Sequence, residues 1–180
     1  MPLSTVWNLP LLGLLTLLAP LNCAALEANP VVPTPPVINN VTQVAVNSGV
    51  LTCASRINQV ANFLTADAEG VGSLLFIPPT HQDQRLISVS MEIPAAGNIP
   101  VAYASSSVAP NQANGCGGMY ESVIYWSQSC GTVATHNFGE LKKLGALSKT
   151  ITVLDGGIWT KIFLMPAGTG CVSIKKEIIR

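Results

Sequence analysis

Residues 87–93, Ile-Ser-Val-Ser-Met-Glu-Ile, alternate apolar and polar without a break. That period of two puts Ile87, Val89, Met91 and Ile93 on one face of a β-strand and Ser88, Ser90 and Glu92 on the other. A strand with one buried and one wet face belongs to an antiparallel sheet. Similar patterning predicts strands in 41–46 (VTQVAV) and 71–79 (VGSLLFIPP), and a weaker one in 100–110 (PVAYASSSVAP), bounded by Pro100 and Pro110. The stretch 111–118 (NQANGCGG) reads as a flexible loop. In 119–126 (MYESVIYW) both alternating sets are bulky, Tyr120, Ile124 and Trp126 against Val123 and Tyr125, which predicts a central strand covered on both faces. Three strands close the chain: 149–154, then 158–165 after the hairpin signal Asp155-Gly156-Gly157, then 171–179 after Gly168-Thr169-Gly170.

A period of 3.6 occurs twice. Cys53, Ile57, Val60, Ala61 and Leu64 fall on one helical stripe, with Thr52 placed to cap it. A second helix is expected from Cys130 through Val133, Ala134, Phe138 and Leu141 to Gly145, with Lys142 and Lys143 suited to its C-terminus. The architecture this predicts is α+β, two helices packed on an antiparallel sheet. Two parallels, LLFIPP from Leu74 with IFLMPA from Ile162 and ISVSMEI from Ile87 with VSIKKEI from Val172, raise a duplicated strand–helix–strands unit, the second copy carrying an extra strand.

The uncharged apolar run at 9–21 changes the picture of the N-terminus. It is too short to span a bilayer, which takes about 20 residues, and small residues at Ala24 and Ala25 follow it. The expectation is a signal peptide over 1–25, cleaved before Leu26, then a proline-rich linker over 26–40 and one α+β domain over 41–180, with no membrane span after cleavage. A lipid on Cys23 fits less well, because Asn22 stands where a small residue would precede a lipid-bearing cysteine. Cleavage after Ala25 leaves Cys53, Cys116, Cys130 and Cys171. In an exported chain, four cysteines without a Cys-x-x-Cys pair read as two disulfides rather than as a metal or redox site. Three connectivities exist. Cys53 with Cys116 and Cys130 with Cys171 would staple each half separately, whereas Cys116 with Cys130 would close a loop of about 15 residues.

Composition narrows function mostly by exclusion. Lys and Arg number nine and so do Asp and Glu, giving no net charge, and charged residues make up only 10% of the chain. No electrostatic footprint for nucleic acid is present. The sequence offers no nucleophile elbow, zinc-protease helix or phosphate loop, and no cofactor is expected. Of the two histidines, His136 follows Cys130 by six residues, but a disulfide-bonded cysteine is no nucleophile. His81, Asp83 and Arg85 alternate in a loop entering a strand and form the candidate binding site, with 111–118 as a second contact edge. Tyr103, Tyr120, Tyr125, Trp126 and Trp159 are candidate aromatic anchors. The expected role is a periplasmic or secreted binding or accessory module, not an enzyme, whose partner is a protein or other envelope component. The alternative is a small exported hydrolase using His81, Asp83 or a carboxylate.

Overall fold

The computed structural model describes residues 39–66, 68–113 and 115–179. The expected signal peptide and most of the linker, with Cys23, lie outside the described residues. None of the described helices is long and apolar enough to cross a membrane.

Among the described residues, eight strands form one antiparallel sheet, accompanied by three helices and a short 3-10 turn at Gln82–Gln84. Helices α1 (Asn40–Asn47) and α2 (Ala54–Thr65) precede strands β1 (Gly72–Phe76), β2 (Ile87–Ile93), β3 (Ala102–Asn111) and β4 (Gly115–Trp126). Helix α3 (Cys130–Asn137) precedes β5 (Lys142–Ala146), β6 (Thr152–Asp155), β7 (Thr160–Ala167) and β8 (Gly170–Ile179). The sheet is thus richer in strands than two helices on a sheet implies. Its order is β1-β2-β3-β4-β8-β7-β6-β5, two four-stranded meanders joined by β4 and β8.

Three local readings change. Residues 41–46 form helix α1, not a strand, because short apolar runs fit either period and the ends decide. The Asn39 side chain accepts from the Thr42 amide at 2.8 Å, capping the N-terminus. At the other end Gly49, with φ of 87°, lets its own amide reach Val46 and that of Val50 reach Ala45, the Schellman arrangement. Thr52 does not cap α2; the N-cap is Cys53, without a side-chain cap, and Thr52 binds Asp83 instead. Helix α3 stops at Asn137 rather than near Gly145, and Lys142–Ala146 is the edge strand β5. Glycines at 139 and 145 weaken a helix there, and a register shift between Lys143 and Gly145 kinks the edge beside two lysines, which blunts it against further pairing.

All the helices pack on one face of the sheet. Ile87, Val89, Met91, Ala104, Val108 and Cys116 meet Ile57, Ala61, Val41 and Ala45 in one core, while Trp126, Leu154, Ile162, Leu164 and Cys171 meet Val133 in a second. The prediction that the aromatic strand is covered on both faces therefore fails: Tyr120 and Trp126 are buried, but Val123 is only partly so and Tyr125 is exposed on the face without helices. That face is held by cross-strand polar contacts, Ser107 with Ser88, Ser90 with Tyr103, and the Lys176–Glu121 ion pair at 3.2 Å.

One disulfide joins Cys53 to Cys116 and the other Cys130 to Cys171, so each links the start of a helix to the start of the last strand of its own meander. Each such strand opens Gly-Cys, and each cysteine lies opposite a proline, Pro110 across from Cys116 and Pro166 across from Cys171. Glu121 and Lys176, each five residues beyond its cysteine, lie directly opposite one another, so the approximate two-fold axis relating the meanders passes through their pair. The repeating unit is a helix followed by four strands in both halves. It equates β1 with β5 and β2 with β6, whereas the sequence parallels matched β1 with β7 and β2 with β8 and were out of phase.

Candidate functional site

A groove of about 520 Å³ lies on the helical side of the sheet, between α2 and the β6–β7 hairpin, floored by the β4–β8 pair. Its helical wall is Arg56, Gln59, Val60 and Phe63, residues three or four apart that share one face of α2. Val60 turns into the core, while Phe63 is 59% exposed.

The opposite wall is the hairpin tip, and its shape follows from two glycines and an aspartate. Asp155 accepts the Gly157 amide at 3.1 Å and pairs with Lys161 at 3.1 Å, while the Lys161 ammonium also donates to the Gly157 carbonyl. Gly157 has φ of 109°, and a Cβ at Gly156 would stand 2.9 Å from Thr160 Cγ2, so both positions need glycine. This tight turn pushes Ile158 and Trp159 outwards, 84% and 39% exposed, and the Ile178 amide donates to the Trp159 carbonyl at 3.1 Å, tying the tip to the end of β8.

On the floor, register aligns Thr160, Glu177 and Tyr120 in one row across β7, β8 and β4. The Tyr120 hydroxyl donates to Glu177 Oε2 at 2.6 Å and Lys175 Nζ approaches the same oxygen at 3.1 Å. The Lys175 ammonium stands 5.2 Å from both the Phe63 and Tyr120 ring centroids, which are 5.6 Å apart. Burial, reinforced by the Glu177 carboxylate, raises the Tyr120 phenol well above its ordinary 10.0. For Glu177, burial acts upwards, but hydrogen bonds from Tyr120, Lys175 and Thr160 and the Lys175 charge outweigh it and hold the carboxyl below 4.5. Near neutral pH one group stays protonated and the other stays charged, so the pair is a fixed polar floor rather than an acid–base couple.

His81, Asp83 and Arg85 lie elsewhere, in the turn before β2. His81 is exposed and holds φ of 55°. Asp83 accepts the amides of Leu51 and Thr52 at 2.7 and 2.5 Å and the Thr52 hydroxyl at 2.8 Å, and these bonds, the Thr52 ones first, lower its pKa. Its carboxylate ties that turn to the start of α2, and no hydrogen bond or ion pair joins it to His81 or Arg85 among the described residues. Of the expected 111–118 loop, Asn111 ends β3 and residues 115–118 open β4 instead, anchored by the Cys116 disulfide. His136 borders a concavity lined by 135–141 alone, with no second segment converging on it. Among the aromatic candidates, Tyr120 and Trp159 line the groove, Trp126 is buried, and Tyr103 and Tyr125 are exposed.

Sequence reasoning passed over Arg56, Phe63, Ile158 and Lys175, and took Glu177 for a surface carboxylate, although it lies on the groove floor. One signal was available: Ile158-Trp159 directly after Asp-Gly-Gly puts two large apolar residues in a turn, where polar ones are the rule. No protein-family model, curated protein or solved structure matches the chain.

Proposed function

We propose that the protein is an exported, non-enzymatic binding module, periplasmic or secreted, and that its contact site is the groove between α2 and the β6–β7 hairpin. The observation that carries this reading is the exposed Ile158-Trp159 tip standing across from the exposed Phe63 over a floor whose carboxylate is already occupied by its neighbours. Exposed aromatic side chains around a concave site are the usual anchors of recognition, and a rigid hairpin holds one of them at small entropic cost. Export rests on the apolar run at 9–21 and agrees with the two disulfides. The partner is a protein or another envelope component, met largely through neutral contacts.

The test is capture of partners from the source's own envelope and secreted fractions by the wild type and by a Phe63→Ala/Trp159→Ala double variant whose fold is checked by circular dichroism. Loss of aromatic anchors is expected to weaken capture by about 30-fold or more. Unchanged capture refutes the groove as the contact site. Capture that survives this variant but is lost in His81→Ala/Asp83→Ala/Arg85→Ala places the contact on the loop before β2. Turnover of an ester or cell-wall glycan by the purified protein overturns the non-enzymatic reading.

A further inference from the structure

We propose that the groove takes a single-headed amphipathic carboxylate, a medium-chain fatty acid, with its head on Arg56 and its hydrocarbon tail between Phe63 and Trp159; this rests on the groove being the binding site. The polar groups of the groove are unequally satisfied. Glu177 is held by Tyr120, Lys175 and Thr160, and Lys175 is in turn engaged by Glu177 and by two aromatic rings. Arg56 has no carboxylate among the described residues; its Nη1 donates to the Gln59 amide oxygen at 2.7 Å. A guanidinium carries five N–H donors in a planar fork, so it retains a pair suited to bidentate capture of a carboxylate. Lys175, which does not itself line the groove, pairs with Glu177, so Arg56 is the one charge of the lining without an ion-pair partner among the described residues.

That charge lies at one end. Arg56 borders both the groove and a smaller neighbouring pocket over Gly115 and Cys116, while Phe63 is seven residues further along the same helical face, about 10 Å away at 1.5 Å per residue. Phe63, Ile158 and Trp159 give the walls apolar surface above the committed Tyr120–Glu177 floor, and the volume falls in the range of about 300–1,000 Å³ usual for small-ligand sites. One cation at the end of a short trough with apolar walls and a committed polar floor complements a monoanion with a tail. A sugar would need several uncommitted hydrogen-bonding groups, and a polyanion several uncommitted cations.

Sodium decanoate, 1-decanol and decyltrimethylammonium are the probes, titrated into the purified exported protein, from which cleavage before Leu26 removes Trp7, and followed by intrinsic fluorescence and calorimetry. Trp159 is exposed at the groove and Trp126 is buried with its indole N–H on Ser173, so a fluorescence change on binding reports the groove. Decanoate is expected to bind saturably and about tenfold or more tighter than decanol, with the cationic probe weakest. In Arg56→Gln the advantage of decanoate over decanol should disappear while decanol affinity holds. Trp159→Phe should abolish the saturable optical signal and leave the heat. Equal affinity for decanoate and decanol, an unchanged preference in Arg56→Gln, or no saturable heat overturns the proposal. If decanoate fails while capture still depends on Phe63 and Trp159, this inference falls and the groove reading stands; if capture ignores both residues, the groove reading falls.

Discussion

Replacing Cys53 and Cys116 together by alanine tests how the fold is held. The bridge spans 63 residues of sequence. In the chain-entropy picture, releasing a loop of that length returns about 4 kcal/mol of conformational freedom to the unfolded chain. Both sulfurs lie in the first core, Cys53 fully buried and Cys116 4% exposed, so the lost contacts add to the effect. For a domain of this size, a urea dependence of about 2 kcal/mol per molar converts that loss to a midpoint lowered by about 2 M. The Cys130–Cys171 bridge spans 41 residues and should contribute nearly as much, since the term grows only with the logarithm of length. Removing both would take about 8 kcal/mol from a domain whose total is typically 5–15, leaving it barely folded. Urea transitions followed by far-ultraviolet circular dichroism and by tryptophan fluorescence would measure this. Trp126 packs in the second core and Trp159 lies in the second meander, but the continuous β4–β8 ladder predicts coincident transitions in the single-bridge variant. A midpoint that moves by less than about 0.3 M, or reactive thiols in the denatured, unreduced wild type, would refute the stapling argument.

Three further outcomes follow from single contacts. Ser173→Ala strands the buried Trp126 indole N–H, now 2.8 Å from Ser173 Oγ, and should cost about 1–3 kcal/mol in urea denaturation; a neutral result would mean the bond contributes nothing. Gly118→Ala puts a Cβ 2.2 Å from the Ser107 carbonyl oxygen and 3.0 Å from Val108 Cα, backbone atoms that cannot step aside, so it should destabilise by about 1–3 kcal/mol, and an unshifted midpoint would contradict the strand register. Because Glu177 titrates lower folded than unfolded, its stabilisation is present above pH 4.5 and lost as pH falls through the folded value; because Tyr120 titrates higher folded, its stabilisation is present below pH 10.0 and lost as pH rises through the folded value. Glu177→Gln should flatten the acid limb of a stability–pH curve and Tyr120→Phe the alkaline limb, and limbs that stay unchanged would show the pair is not coupled to folding.

The sequence was readable where one period dominated. The alternation in β2 and the helical stripe in α2 were legible because their neighbours in space repeat the same chemistry along their length. Placement of α1 failed because six residues hold too few turns of either period, and what decided the matter was Asn39 and Gly49 outside the run. The end of α3 was misplaced because Lys142 and Lys143 serve a helix C-terminus and a blunted sheet edge equally well. The groove was illegible for a different reason: Tyr120 is 57 residues from Glu177 and just as far from Phe63. Only the register of β4 on β8 brings the pair together, and sequence patterning carries no register between strands so distant.

The two-fold frame explains why the groove forms on one side of the sheet. Rotation about the Glu121–Lys176 pair carries Tyr120 onto Lys175 and Glu177 onto Ser122, since 120 and 175 lie four residues beyond their cysteines and 122 and 177 lie six. The row Thr160-Glu177-Tyr120 therefore has Ala104-Ser122-Lys175 as its counterpart. One row bears a carboxylate and a phenol; the other bears a lone ammonium among small groups. Lys175 leans out of its own row to reach Glu177, neutralising the carboxylate and capping both rings at once. The same frame offers the second half no equivalent of Phe63, because α3 has eight residues against the twelve of α2. The repeat supplies the meanders and their disulfides in duplicate, with the single Glu121–Lys176 pair on the axis between them, and the site lies where the two halves depart from each other. Exchanging Tyr120 and Glu177 for the residues of their counterpart row, Tyr120→Lys with Glu177→Ser, should then leave the disulfide-stapled frame folded and remove partner capture. Capture that persists in that folded variant would show that the asymmetry of the floor has no part in recognition.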